Sequence, residues 1–496
     1  MIRVLLSQFQ QTFEDLDKDK KMSQVQQVYE RKVTGAERFF SHAPFSTVTM
    51  VARIKGKVTE AMLRDAVEKV QQRHALLRVR IKPTNDDSLW FTSHDVQAIP
   101  IEVIPRNSDD DWIKIHAEGC KAPYEFETRP PIRFILVQSP EVSELIILCH
   151  HIICDGMSLA YLARDLMVCL GDPTAELQVL PAPEPITVKN LPRDASLSGI
   201  VKFFIKRIKQ KWAEEIIIFD QEDYEALNAA YWQNFHHEIL SIELSEAETK
   251  ALVARCRKEN VTVNSAIIMA FSGAQNFVEG RKPHHAKTAS AVSLRDRLPE
   301  SPGEGMGYYA AGVELKYKYN PNKSFWENAR QYHKKIQPHL TANKKAFGDL
   351  PAYLQMDSNI YEALSFKKLG GLVAQDSPSY EKLHAFSQRE DVVVRLLKRA
   401  GMETLDTKLI SIAITNLGRL DFPQTYGELE LERLIMQPGG AFPLVHVDMV
   451  IGVVTSAGKL SLVVEYAEEA VDTETMQTIK DKAMAWLLDT GTRPLI

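Results

Sequence analysis

The sequence predicts an α/β protein of the α+β sandwich type, arranged in two halves. Hydrophobic patterns typical of strands and of helices alternate in both halves of the chain, and a proline-rich segment separates them. A His-His-x-x-x-Asp-Gly run follows an apolar stretch typical of a buried strand and places the functional site. We expect an N-terminal lobe over residues 1–175, a connecting region over 176–240 and a C-terminal lobe over 241–496.

The first half is expected to alternate strands with helices. Thr59 can cap a helix in which Leu63, Val67 and Val70 recur at helical spacing. Strands are expected at 47–54, 132–137 and 145–149, and a buried helix at 157–170. Five prolines between 171 and 192 then mark a linker that crosses the surface, which is where the domain boundary is placed.

The second half begins with a helix-start signal. Ser245 with Glu248, and later Ser324 with Glu327, form capping-box patterns that predict helices. Further helices are expected at 263–271 and 472–488, and strands at 286–294, 308–316, 409–414, 429–435, 447–454 and 460–466.

The run that carries the chemistry is His150-His151-Ile-Ile-Cys-Asp155-Gly156, in a tight loop between a predicted strand and a predicted helix. Gly156 is expected to supply a backbone conformation closed to other residues. Two imidazoles and a carboxylate are costly to bury without partners. Histidine is also the side chain best matched to proton transfer near neutral pH. A working base is therefore favoured over a structural histidine followed by an ordinary Asp-Gly turn.

Metal binding is the alternative for any histidine pair. Adjacent residues on an extended chain point opposite ways, so His150 and His151 are poorly placed to share a zinc ion. The sequence has no H-E-x-x-H or C-x-x-C pattern, and no metal site is predicted. The doublets at 236–237 and 284–285 lack the Asp-Gly partner, lie in polar surroundings and are expected at the surface or at strand edges.

The motif resembles the HHxxxDG signature of the acyltransferase superfamily that includes chloramphenicol acetyltransferase, peptide-synthetase condensation domains and mycobacterial polyketide-associated acyltransferases. Residues 73–78, Arg-His-Ala-Leu-Leu-Arg, are similar to the RHxxLR segment of condensation domains. Residues 415–421, Thr-Asn-Leu-Gly-Arg-Leu-Asp, are similar to a segment of stand-alone polyketide-associated and alcohol acyltransferases. The resemblance implies two chloramphenicol acetyltransferase-like lobes with a channel between them.

The resemblance also implies roles for the residues around the motif. An arginine of this superfamily pairs with the motif aspartate and holds the catalytic loop. Arg295 ends a predicted strand in a Ser-Leu-Arg segment that resembles the DLR segment of the polyketide-associated enzymes, so it is the preferred partner of Asp155, with Arg78 as the alternative. A buried aspartate needs a cationic, forked partner. Asp155 is then architectural, His150 is expected to be structural, and Asn416 is expected either to line the channel or to cap a turn.

The implied reaction moves an acyl group from a thioester, on coenzyme A or on a carrier protein, to an alcohol or amine. The sequence has no G-x-S-x-G nucleophile pattern, and Cys149 and Cys154 lie in apolar contexts typical of inert thiols. His151 would then act directly, removing the acceptor's proton as it attacks. Backbone amides beside Gly156 or a nearby hydroxyl would hold the oxyanion. Coenzyme A is a substrate in this scheme, and no bound cofactor is required.

Two other functions stay open at this point. One is a stand-alone condensation enzyme that forms an amide from carrier-protein-bound substrates. The other is a non-catalytic module that binds carrier proteins, a role that the presence of His151 disfavours.

Composition narrows the class of protein. Of the 496 residues, 25% are charged and 45% hydrophobic, which is ordinary for a globular protein. The net charge of −5 gives no reason to expect nucleic acid as a partner. Five scattered cysteines and the absence of a signal-like N-terminus predict a cytoplasmic protein with reduced thiols.

A basic amphipathic segment at 200–219 has two interpretations. It interleaves large apolar residues with lysines and arginines, as helices on anionic membranes or against acidic partners do. The favoured interpretation is a helix between the lobes that packs its apolar stripe inside, with peripheral membrane contact as the alternative.

Overall fold

The computed structural model describes residues 29–84, 88–400, 409–440 and 442–489. Residues 1–28 of the predicted N-terminal lobe therefore lie outside the described part. Mixed helices and strands form two lobes, each with a six-stranded sheet, so the predicted fold class is confirmed.

The strands are β1 (Glu30–Lys32), β2 (Thr47–Lys55), β3 (Arg80–Pro83), β4 (Leu89–Thr92), β5 (Ile101–Pro105), β6 (Ile132–Gln138), β7 (Val142–His150), β8 (His237–Glu243), β9 (Lys287–Ser293), β10 (Ala310–Lys316), β11 (Ile410–Arg419), β12 (Thr425–Tyr426), β13 (Leu429–Gln437), β14 (Val447–Ser456) and β15 (Lys459–Ala467). The N-terminal sheet has the order β12-β13-β2-β7-β6-β5, and the C-terminal sheet has the order β10-β9-β11-β14-β15-β8. Strands β1, β4 and β3 form a small third sheet.

The helices are α1 (Gly35–Arg38), α2 (Glu60–Arg73), α3 (Asp111–Lys121), α4 (Gly156–Gly171), α5 (Gly199–Glu215), α6 (Gln221–Asn234), α7 (Glu246–Lys258), α8 (Val263–Val278), α9 (Phe325–Thr341), α10 (Asn343–Ala346), α11 (Leu350–Tyr353), α12 (Ser358–Leu369), α13 (Tyr380–Gln388), α14 (Val392–Ala400) and α15 (Thr473–Leu487). Thr59, Ser245 and Ser324 cap α2, α7 and α9 as their sequence patterns predict.

Strand β7 explains why the residues before the motif are continuously apolar. It lies in the middle of the N-terminal sheet and is paired on both sides, with β2 and β6. Leu145, Ile147 and Cys149 enter the core formed with α2 and α4, whereas Ile146 and Leu148 enter a second core around Trp112 of α3. Both faces of β7 are therefore covered, and the alternation typical of a half-exposed strand is absent.

One strand crosses from the C-terminal part of the chain into the N-terminal sheet. β13 pairs antiparallel with β2, with Ile435 opposite Val51. The backbones approach closely where β13 passes β14: a Cβ atom on Gly452 would lie 2.2 Å from the carbonyl oxygen of Met436. The sequence predicts the strand but not its sheet. The lobe boundaries themselves stay a prediction.

Helix α5 departs from the favoured sequence interpretation. Trp212 and Ile205 are buried, but Ile200, Phe203 and Phe204 are exposed. Only part of the apolar stripe therefore packs inside the molecule. Among the described residues, no helix is long and apolar enough to cross a membrane.

Candidate active site

His151 follows the last residue of β7, in the turn that leads to α4. Its backbone amide donates to the carbonyl oxygen of Ser46 at 2.8 Å. The ring Nδ1 lies 3.0 Å from the carbonyl oxygen of Cys154. Because a carbonyl oxygen can only accept, Nδ1 carries the proton in the neutral ring, and Nε2 keeps the lone pair that a base needs.

Two aromatic rings fix the plane of the His151 side chain. Phe40 stacks on the imidazole with ring centroids 4.5 Å apart, and Tyr308 meets it edge-on at 5.5 Å. Burial lowers the pKa of His151 below its ordinary value, although hydrogen bonding to the carbonyls of Cys154 and Pro438 and the charge of Asp155 act in the opposite direction. The net shift favours the neutral imidazole, which is the form able to take a proton.

The segment that carries Phe40 is held by a glutamate from the other lobe. Glu362 of α12 accepts from Arg38 Nε at 3.0 Å and from the Ser41 hydroxyl at 3.3 Å, and it contacts His42. Burial raises the pKa of Glu362, but the charges of Arg38 and His42 outweigh it and bring that pKa to about 2. The position of Phe40 beside His151 therefore depends on the ionised carboxylate of Glu362.

His150 points into the core instead. The rings of Tyr124 and Phe126 meet it edge-on at 5.3 and 5.0 Å, and its Nδ1 accepts from the amide of Ile152 at 3.3 Å. Burial lowers the pKa of His150 well below its ordinary value, and the nearby His151 and His42 add to the effect. These contacts agree with the structural role that the sequence suggests.

Asp155 is the N-cap of α4, and both oxygens of its carboxylate accept hydrogen bonds. Oδ1 accepts from the Ser158 amide at 2.7 Å and from Arg295 Nη2 at 2.9 Å, and Oδ2 accepts from the Tyr309 amide at 3.1 Å. The structure therefore makes the Asp155–Arg295 pair that the sequence favours. A carboxylate so fully occupied holds the loop and is not free to take a proton.

Arg295 joins this loop to the C-terminal lobe. Its Nη1 donates to the carbonyl oxygens of Gly303 and Gly305 at 2.9 and 2.8 Å, and its Nη2 also lies 2.8 Å from the Ser158 hydroxyl. One buried guanidinium thus links α4 to the loop before β10. Tyr308 follows that loop, so the same arginine also helps to place the ring beside His151.

Arg78, the alternative partner, lies elsewhere. No contact between Arg78 and Asp155 is found within the described ranges, and Arg78 ends a short helical turn at 75–78.

The first two residues of the RHxxLR segment, Arg73 and His74, contact α4 at another position. Arg73 Nε donates to Asp165 at 2.7 Å, and His74 Nε2 lies 3.1 Å from the same oxygen.

Gly156 departs from its expected conformation, whereas Asn416 takes one of its two expected roles. Gly156 is the first residue of α4 and is not among the glycines with positive φ, so the expected special backbone conformation is wrong. A Cβ atom there would lie 2.9 Å from Leu417 Cδ2, so a larger residue would require the Leu417 side chain to shift. The Asn416 Oδ1 accepts from the Gly418 amide at 2.8 Å, which is the turn-capping alternative. Gly418 has φ of +72°, a conformation that favours glycine.

The cysteines beside the motif and the doublet at 236–237 lie as the sequence predicts, whereas the doublet at 284–285 does so only in part. Cys149 and Cys154 are fully buried, and burial raises the pKa of the Cys154 thiol well above its usual value. His236 is exposed and His237 begins the edge strand β8, as expected. The surface position expected for the doublet at 284–285 is wrong for its second member, because His285 is 1% exposed.

His284, His285 and Asp448 lie close together. Among the described residues, they are the one group whose residue types could hold a metal ion. His284 Nε2 lies 2.8 Å from Asp448 Oδ2, and that oxygen also accepts from Gln275 at 2.8 Å. These hydrogen bonds account for the buried carboxylate. The group lies before β9, at the opposite end of that strand from Arg295, and takes no part in the His151 site.

A cavity of about 580 Å³ is lined by residues of both lobes, and His151 is not among its lining residues. Phe45, Thr47 and His116 line it from the N-terminal lobe, and His237 and Glu465 line it from the C-terminal lobe. His237 Nδ1 lies 2.9 Å from Glu465 Oε1. This polar pair gives the cavity an internal hydrogen-bonding surface.

Comparison with known sequences finds similarity to condensation domains and to peptide synthetases. Residues 31–180 match the family model of the condensation domain. The nonribosomal peptide synthetase TES of Alternaria alternata is 30% identical over 120 residues, covering 24% of this chain and 2% of that protein. The synthetase dtxS1 of Metarhizium robertsii is 23% identical over 278 residues, covering 54% of this chain and 3% of that protein. The chain thus matches only a small part of these relatives.

Comparison with solved structures covers nearly the whole chain. Trichothecene 15-O-acetyltransferase TRI3 from Fusarium sporotrichioides has a TM-score of 0.60 and 12% identity, covering 93% of this chain and 95% of that one. Polyketide synthase associated protein 5 from Mycobacterium tuberculosis has a TM-score of 0.56 and 16% identity, covering 93% and 98%. The resemblance to condensation domains is confirmed over residues 31–180, and the chain shares the two-lobe fold of these solved structures.

Proposed function

We propose that this chain is an acyltransferase that moves an acyl group from a thioester to an alcohol or amine, with His151 as the general base. The observation that carries the proposal is the hydrogen bond from Nδ1 to the carbonyl oxygen of Cys154, 3.0 Å away. It leaves Nε2 as the basic atom, and the lowered pKa of the ring keeps that atom unprotonated near neutral pH.

The reaction needs no covalent enzyme intermediate. Nε2 of His151 takes the proton of the acceptor hydroxyl or amine while the acceptor's oxygen or nitrogen attacks the thioester carbonyl carbon. A tetrahedral oxyanion forms and then collapses. The carbon–sulfur bond breaks as the imidazolium returns its proton to the departing thiolate, and the products are an ester or amide and a free thiol.

The Tyr308 phenol is our candidate for the hydroxyl that stabilises the oxyanion. Its ring lies edge-on to His151, and burial raises its pKa far above neutral, so the phenol keeps its proton and can donate. We expect Tyr308→Phe to lower kcat by about tenfold to a hundredfold with little change in KM, as for loss of one oxyanion donor. An unchanged kcat would assign the oxyanion to the amides at the start of α4.

The donor is coenzyme A or a carrier protein, and the two can be separated by experiment. Thiol release is measured with acyl-coenzyme A donors of increasing chain length, and then with acyl groups on a phosphopantetheinylated carrier protein. Each donor is tested with alcohol and amine acceptors. Release that depends on acceptor and disappears in His151→Ala, but persists in the exposed control His236→Ala, supports the proposal.

A stand-alone condensation enzyme that forms amides is the second candidate. The match of residues 31–180 to the condensation-domain family favours it. Release only from carrier-protein donors with amine acceptors would select it over ester formation. No release from any donor, with carrier-protein binding retained, would overturn catalysis and leave a binding module.

A further inference from the structure

Helix α5 carries a surface that the acyl-transfer reaction does not use. Its first turns expose Ile200 at 72%, Phe203 at 56% and Phe204 at 53%. Single exposed apolar residues are common, but three large ones within five positions form a patch whose exposure to water is unfavourable. The patch is therefore a candidate contact surface.

The helix is fixed by its other face and its other end. Trp212 and Ile205 are buried against the body of the protein. At the C-terminal end, the carbonyl oxygen of Glu215 accepts from Arg389 at 2.6 Å, and the carboxylate of Glu215 accepts from the amide of Val392 at 2.8 Å. The exposed first turns are thus presented on a held helix.

The charges of this helix have one sign over most of its length. From Gly199 to Ala213 there is no aspartate or glutamate, although the whole chain has a net charge of −5. Five exposed cations lie in this stretch, and within the described ranges none of them is in a salt bridge: Lys202, Lys206, Arg207, Lys209 and Lys211. The guanidinium of Arg207 lies over the Phe203 ring at 5.4 Å.

We propose that α5 binds the surface of an anionic membrane. At 100° per residue, Ile200, Phe203 and Phe204 lie on the same face of the helix as Arg207 and Lys211. The apolar residues are in the first turns of this face, and the two cations are in the later turns. The aromatic turn enters the boundary between headgroups and acyl chains, and the cations meet the lipid phosphates and carboxylates. An acidic protein would satisfy the cations but would not require two adjacent exposed phenylalanines.

The proposal goes beyond acyl transfer and does not depend on it. Binding is measured by co-sedimentation of the full chain with vesicles of phosphatidylcholine alone and of phosphatidylcholine with phosphatidylserine. We expect binding to the anionic vesicles and little to the neutral ones. Added salt should weaken the binding, because exposed charges carry much of the attraction.

Two variants and two matched controls test which surface binds. F203S/F204S and R207Q/K211Q should each weaken binding at least about tenfold. Phe277→Ser removes a phenylalanine that is 68% exposed on α8, and K316Q/K318Q removes two exposed cations on and beside β10. Both controls should bind like the wild type, and circular dichroism checks that all four variants are folded.

Absence of binding to anionic vesicles would overturn the proposal, as would equal losses in the variants and the controls. Binding to an acidic carrier protein that is lost in F203S/F204S, with no binding to vesicles, would replace the membrane by a protein partner. Thiol release without vesicles is recorded for each variant. Loss of vesicle binding with unchanged thiol release separates this surface from the catalytic proposal.

Discussion

At the end of β7, two adjacent histidines lie in different surroundings, one in the turn and one in the core. On the side of the turn, Nδ1 of His151 donates to the Cys154 carbonyl oxygen, and the residue is half-buried between Phe40 and Tyr308. On the side of the core, His150 is 1% exposed and has Tyr124 and Phe126 around its ring.

Burial lowers the pKa of both rings, but only His151, on the side of the turn, is partly exposed. A lowered pKa is therefore not enough to identify a base. Reactivity also needs a fixed tautomer and access for the acceptor, and packing against aromatic rings can use the same residue type for stability alone.

The largest expected effect comes from removing each histidine in turn. His151→Ala should lower kcat at least about 100-fold with little change in the melting temperature, because it removes a base from a partly open position. His150→Ala should instead lower the free energy of unfolding by about 2–4 kcal/mol, because it leaves a space among buried rings. Steady-state kinetics and denaturant unfolding measure the two losses. The comparison fails if His150→Ala loses more activity than stability.

Asp155→Asn should affect both properties, because Asp155 links the loop of His151 to the other lobe. The amide keeps the N-cap oxygen but removes the charge opposite Arg295, so a buried guanidinium loses its counter-ion. We expect a loss of about 2–4 kcal/mol in the free energy of unfolding and at least a tenfold loss in kcat. An unchanged melting temperature would contradict the buried pair. The variant Asp296→Asn, one residue from Arg295, is an adjacent control.

The pH dependence separates the two histidines further. His151 is active when neutral and its pKa is lowered, so kcat/KM should reach its plateau with an acidic midpoint below about pH 6.5. Asp155→Asn should move this midpoint lower still, because the Asp155 charge raises the pKa of His151. A midpoint above pH 7 in the wild type would contradict the assignment.

Stability should follow pH through the core histidines. The pKa of His116 is lowered to about 4, and that of His150 is also lowered, so the unfolded chain binds protons near pH 6.5 that the folded chain does not. Stability is then present above about pH 6.5 and is lost as the pH falls, by about 1.4 kcal/mol per pH unit for each such histidine. Unfolding in denaturant at a series of pH values measures the slope, and His116→Gln should reduce it.

The smallest effect is expected at the two cysteines that flank the motif. Cys149 and Cys154 are fully buried, and the high pKa of Cys154 keeps its thiol protonated. Cys149→Ala and Cys154→Ala should therefore keep kcat within about twofold of the wild type, since neither thiol reaches the reacting atoms. A folded but inactive variant of either would revive a thiol nucleophile.

Local patterns in the sequence predict much of the site. The apolar run before His150 predicts β7, the run after Gly156 predicts α4, and the Asp155–Arg295 pair follows from a resemblance that names both residues. These features depend on a few consecutive residues or on a known motif. The partly exposed position of α5 is the exception, since periodicity gives a stripe but not the surface it meets.

Contacts between distant residues could not be predicted in this way. Glu362 holds the segment of Phe40 from more than 300 positions away, and its sequence surroundings carry no signal. Tyr308 is placed beside His151 by the contacts of Arg295 with the loop before it and of Asp155 with the Tyr309 amide. The close approach of Leu417 to Gly156 likewise joins residues far apart in the sequence.

The origin of β13 has a consequence for how this chain can be divided. Residues 429–437 supply the strand next to β2, so the edge of β2 stays open until that part of the chain has been made. A fragment that ends in the linker between 172 and 198 would expose this edge to pairing with other chains and should aggregate. A single protease cut in the same linker of the folded protein would leave two pieces that remain together. The two halves of the sequence therefore cannot be separated, and neither half alone would contain the complete site.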